Sequence, residues 1–166
     1  MTWQRGRAEV ERLIADGELE RVTPSQVVAT RLLADAAAHI RLAGMGIGDD
    51  PTGALQLSYD AARKASAALL ALQGLRSTTR GGHIAVIDAV RAQFNDRGGM
   101  EVFGRINRLR RRRNSTEYPA EDSPGVTTDE AQQALATARA TLDAANQLLS
   151  SGRLDPFEIP QANSGT

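Results

Sequence analysis

The sequence predicts an all-α protein: an antiparallel helical bundle built on two long helices, with shorter helices packed alongside. Three observations point there. Polar-Pro starts and Gly stops bracket long runs free of other breakers. Alanine is abundant while only six residues are aromatic, so the core has to come from Leu, Ile, Val and Ala, which lets helices lie close together. No segment shows the alternation of a strand, and there is no internal repeat.

Residues 4–16 read as a short amphipathic helix with Val10, Leu13 and Ile14 on one side, ended by Gly17. Thr23-Pro24 then supplies an N-cap followed by proline at the first helical position. The helix it opens is expected to reach about Ala43, where Gly44, Gly46 and Gly48 stop it. Asp50-Pro51 repeats the start signal and launches a second long helix to about Gln73, ended by Gly74. Two helices of such length joined by a short Gly/Asp turn fold back as a hairpin. After a loop over 76–82, His83–Phe94 forms a fourth helix, broken by the NDRGG run that follows. Residues 100–117 make a fifth, arginine-rich helix. Pro119 and AEDSPG form a linker, and Thr127 or Thr128 caps a last helix whose first turn is acidic, as the helix dipole favours. Residues 1–150 are thus expected to be one domain, and 151–166 a loosely ordered tail.

Composition narrows the function classes. The 166 residues contain no Cys, which excludes disulfides and thiolate metal sites, and two His argue against a His-rich metal centre. No metal or other cofactor is expected. The N-terminal MTWQRGRAEVERL lacks the apolar stretch of a signal peptide, and no run approaches a membrane span, so a cytoplasmic protein without membrane contact is expected. Net charge is zero, yet six arginines fall between Arg105 and Arg113, and Lys64 is the one lysine. A concentrated Arg patch on a neutral protein can hold a polyanion locally, and guanidinium suits bidentate phosphate contacts.

Three segments could carry chemistry. In the second long helix, Tyr59, Arg63 and Ser66 lie near one stripe; alternatively, Tyr59 is a core residue with a bonded hydroxyl. Gly81-Gly82-His83 opens the fourth helix, where His83 can cap or pack, and lacks partners for a metal. Four consecutive arginines, Arg110, Arg111, Arg112 and Arg113, span one turn and cannot share a face. Arg110 and Arg113 cluster with Glu117, Arg113 can pair with Glu117, and Asn114 and Tyr118 stack beside them. The structural alternative is a solvated face tied by that ion pair.

Tyr59-x-x-Ala62-Arg63-Lys64-Ala65 with the following Leu-Leu, then Gly-Leu, Gly-Gly-His and Arg113-Asn114-x-x-x-Tyr118, resembles a HEPN domain of a bacterial subgroup found in actinobacteria. The resemblance covers roughly residues 25–149. It implies a helical bundle, usually a homodimer, and for many members a metal-independent ribonuclease of toxin–antitoxin or phage-defence systems. The family's motif is R-x(4–6)-H, often R-N-x-x-x-H, so Arg113 and Asn114 match its first two positions and Tyr118 stands where the family has His. In an active member the RNA 2′-hydroxyl attacks the adjacent phosphate. Arg113 would then stabilise the charge on the phosphoryl oxygens, Tyr118 orient the phosphate, and Glu117 act as base if free of Arg113. Arg110, Arg111 and Arg112 would bind RNA, with Tyr59, Arg63 and His83 in support. Phenol is a poor base near neutrality. The alternative implied is an inactive HEPN module that binds a nucleotide or a partner protein, such as a minimal nucleotidyltransferase antitoxin. A plain structural helical dimer is the third reading.

Overall fold

A computed structural model describes residues 5–95, 101–152 and 154–158. In chain order its elements are α1 (Arg7–Ala15), β1 (Leu19–Arg21), α2 (Gln26–Gly46), α3 (Pro51–Gln73), β2 (Leu75–Ser77), α4 (Gly82–Phe94), α5 (Val102–Glu117) and α6 (Thr128–Ser150). The fold is all-α, as expected, with α2 and α3 as the antiparallel pair and α3 as its axis. Helix α3 is buried on most of its circumference and touches α2, α4, α5 and α6. Small residues make that possible: Ala54, Ala61, Ala62, Ala65 and Ala68 are all buried, so neighbouring helices approach its backbone. Ser58 and Ser66, also buried, satisfy their hydroxyls on the carbonyls of Ala54 (2.7 Å) and Ala62 (2.9 Å).

The start of α3 is as read: Asp50 accepts from the Gly53 N–H at 2.8 Å, with Pro51 in the first turn. Gly74 ends it in the left-handed region, φ 73°, and a Cβ there would meet the Val22 carbonyl at 2.7 Å. Helix α6 opens with a reciprocal capping box between Thr127 and Glu130.

Three expectations are corrected. Helix α2 begins two residues later than Thr23-Pro24 suggests, with Ser25 as the cap, accepting from Val28 N–H at 3.2 Å. The preceding chain stays extended because Val22 N–H bonds to Gly74 O (2.9 Å) and Ser25 N–H to Ala71 O (3.0 Å). The same helix runs through Gly44 to Gly46, where Asp49 and Asp50 N–H groups bond to the Gly46 carbonyl. Packing against α3 and α6 outweighs the roughly 1 kcal/mol propensity cost of each helical glycine. A two-stranded antiparallel ribbon, β1 with β2, pairs Leu19 with Ser77 and Arg21 with Leu75. Three-residue strands are too short to leave an alternating pattern. Within the segment expected to be loosely ordered, Phe157 is buried, its N–H bonds to Gln73 O at 2.8 Å, and Arg7 lies 5.4 Å over its ring. The NDRGG break beyond Asn95, residue 100, and the chain from 159 lie outside the described residues.

Candidate functional site

The candidate site is assembled from α3, the start of α4 and the last turns of α5. Helix α3 presents Tyr59, only 3% exposed, with Asp60 and Arg63 beside it. Two glycines set the entry of α4. Gly81 packs so closely that a Cβ would lie 2.1 Å from the Glu18 carbonyl oxygen, and Gly82 takes φ 51°. His83 follows in the first turn without capping the helix through its side chain. Instead its Nδ1 lies 3.3 Å from Tyr59 Oη, with ring centroids 6.0 Å apart. His83 is nonetheless an exposed residue.

Helix α5 completes the cluster. Arg113 places Cζ 5.8 Å over the Tyr59 ring, within cation–π range, while Nη2 pairs with Glu117 Oε1 at 2.7 Å. Its Nη1 also donates to Asn114 Oδ1 at 3.4 Å. Among the described residues Arg110 holds only a long contact to Asn107 Oδ1, 3.5 Å, and its charge reaches the Tyr59 phenol. Arg111 is exposed, with no ion pair or side-chain hydrogen bond among the described residues. On α3, Asp60 takes Arg63 as an ion partner and also faces His39 of α2, Nδ1 to Oδ2 3.1 Å, off the line of a hydrogen bond. Lys64 reaches Asp35 at 3.1 Å.

This environment sets protonation. Burial pushes the Tyr59 phenol above its ordinary range, with Arg63, Arg110 and Arg113 pulling the other way, so the hydroxyl is protonated at neutral pH. His83 is held below the ordinary imidazole value, first by burial against its neighbours, then by the guanidiniums of Arg63 and Arg113; Asp60 opposes. At pH 7 the exposed ring is therefore neutral. A neutral imidazole near the guanidiniums of Arg63 and Arg113 can bind a phosphate and exchange a proton with it.

Not every residue singled out from the sequence joins the cluster. Tyr118 is 83% exposed, and among the described residues only its backbone N–H is engaged, to Asn114 O at 3.3 Å. Glu117 is paired with Arg113 at 2.7 Å in the RNA-free protein. Ser66 turns its hydroxyl onto its own helix. Arg112 points away, donating to Glu130 at 2.8 Å and to the carbonyls of Pro124 and Gly125 at 3.2 and 3.1 Å. It holds the linker and α6 against α5. On that side α5 and α6 leave an open groove of about 430 Å³, lined in part by Arg105, Arg108 and Arg112. The sequence reading missed Asp60 and His39; the spacing of Asp60 to Arg63 and Lys64 was a signal for the first, and nothing local signalled the second.

No protein-family model, curated protein or solved structure matches this chain.

Proposed function

We propose that this protein binds RNA on the face formed by Arg63, His83, Arg110, Arg111 and Arg113, and acts there as a metal-independent endoribonuclease, as the HEPN resemblance implies. The observation that carries the reading is the meeting of Tyr59, His83 and Arg113, drawn from three separate helices. These belong to the same three motifs on which the resemblance rests, with His83 and Arg113 set around the buried Tyr59. Their counter-ions are poor competitors for a phosphate. Part-exposed pairs such as Arg113–Glu117 contribute only about 0–1 kcal/mol, whereas phosphate takes bidentate, charge-assisted bonds. Arg113 then stabilises charge on the phosphoryl oxygens, and Arg63 and Arg110 hold flanking phosphates. Dimerisation, a toxin–antitoxin or defence setting and a nucleotidyltransferase partner belong to the same proposal.

A second reading is favoured by one observation. Tyr118, which stands where the family has His, lies out in solvent and away from the cluster. On that reading the domain is a catalytically inactive module that binds a nucleotide or a partner protein. Anisotropy titration of labelled single-stranded RNA against salt tests the proposal: log affinity should fall with log salt, by roughly 0.7 per phosphate contacted. The Arg63→Ala/Arg110→Ala/Arg113→Ala triple variant should lose most of that dependence. Unchanged binding by a folded triple variant would discard this face.

A further inference from the structure

We propose that His83 is the catalytic proton-transfer residue of the RNA-cleaving site, with Tyr59 as its positioning residue, in place of the tyrosine at 118. This rests on the ribonuclease reading above and names the residue that does its chemistry. Tyr59 is buried and cannot reach bulk solvent, yet its hydroxyl meets His83 Nδ1 at 3.3 Å. The imidazole is thereby tethered by one nitrogen, on a residue that is itself exposed to solvent. For Nε2 to accept a proton, Nδ1 must carry the hydrogen and donate it to Tyr59 Oη, which a neutral phenol accepts. Arg113, lying over the same phenol ring, sets the phosphate site beside the imidazole. The charged groups facing the pair are Asp60 and Arg63 from α3 and Arg110 and Arg113 from α5, the last paired with Glu117; burial first, then Arg63 and Arg113 against Asp60, keeps the imidazole neutral.

The step balances without a co-reactant. His83 Nε2 takes the proton of the 2′-hydroxyl, the 2′-oxygen forms a bond to phosphorus, and the bond from phosphorus to the 5′-oxygen breaks. The imidazolium returns its proton to the departing 5′-oxygen, directly or through water. The products are a 2′,3′-cyclic phosphate and a 5′-hydroxyl.

The experiment follows cleavage and binding of one single-stranded RNA oligonucleotide, from pH 5 to 9, by the full chain and by His83→Ala, His83→Gln, Tyr59→Phe and Tyr118→Phe. His83→Ala should lower the single-turnover cleavage rate of bound RNA about 10²–10⁴-fold. The wild-type rate should fall on the acid side below about pH 6.5, the ordinary imidazole value, and His83→Gln should abolish that limb. Tyr59→Phe should shift the limb without the full loss, and Tyr118→Phe should cleave within a few-fold of wild type. Cleavage that survives His83→Ala but not Tyr118→Phe overturns the inference and leaves the ribonuclease reading standing. RNA bound but never cut overturns the inference and the ribonuclease reading together, leaving RNA binding. Absence of binding removes the RNA reading and with it this one.

Discussion

Arg112 and Arg113 are consecutive and chemically identical, yet they serve opposite ends of the molecule's organisation. A helix turns about 100° per residue, so the two guanidiniums leave α5 on different sides. Arg112 meets Glu130 and two linker carbonyls and fastens α6 to α5. Arg113 crosses the Tyr59 ring and faces the surface that His83 shares. The first is saturated by protein partners. The second holds one part-exposed carboxylate, a partner that an incoming phosphate can displace. The contrast teaches that a run of arginines is not one patch: what each does depends on the helix it faces.

The contrast can be broken by substitution, and the largest expected effect is on the Arg113 side. Arg113→Ala should cut RNA cleavage about 10²–10³-fold, the usual loss for one preorganised charge-stabilising donor, with a melting temperature nearly unchanged. Loss of the fold instead would show that Arg113 and Glu117 are a structural pair. Arg112→Ala should give the mirror image. Removing an ion pair and two carbonyl bonds, discounted for solvent exposure, costs about 1 kcal/mol. At roughly 2–4 °C per kcal/mol for this size, thermal melting should show a small fall while RNA affinity holds.

Thr127→Ala tests the same junction from the other partner. It removes half of the capping box that Glu130 completes, and about 1 kcal/mol is expected from loss of the cap alone. In a double-mutant cycle with Arg112→Ala, chemical denaturation should give a non-additive total, because both act through Glu130.

The smallest effect is in acid. The Arg112 guanidinium, followed by the Thr127 backbone N–H, holds the Glu130 carboxyl below its ordinary range. A depressed carboxyl stabilises the fold above its unfolded-state value, near 4.3, and that contribution is lost as pH falls through the folded-state value. Stability of the wild type should therefore decline across that window, and Arg112→Ala should flatten the decline. His83 acts in the same direction higher up. An imidazole held below its ordinary value favours the fold less as pH drops below about 6.5, and His83→Ala should remove that slope. Urea unfolding at a series of pH values separates the two.

The sequence by itself determined the helices and their order, because caps and stops act within a few residues. Asp50-Pro51 and Gly74 are local devices that sit where they were read, and of the two threonines offered as the last cap the structure uses Thr127. It also placed Tyr59, His83 and Arg113 on three separate helices, without saying that they meet. Tertiary structure alone decided that meeting, since it depends on α4 entering through Gly81 and Gly82 against the Glu18 carbonyl, and on α5 crossing α3. It decided the exclusions as well: Arg112 was claimed by Glu130, and Tyr118 was left in solvent. The β1–β2 ribbon and the anchored Phe157 belong to the same class, since both consist of bonds between residues more than fifty positions apart. A cap is complete within one turn of chain, but a contact between distant segments exists only once the core between them has formed.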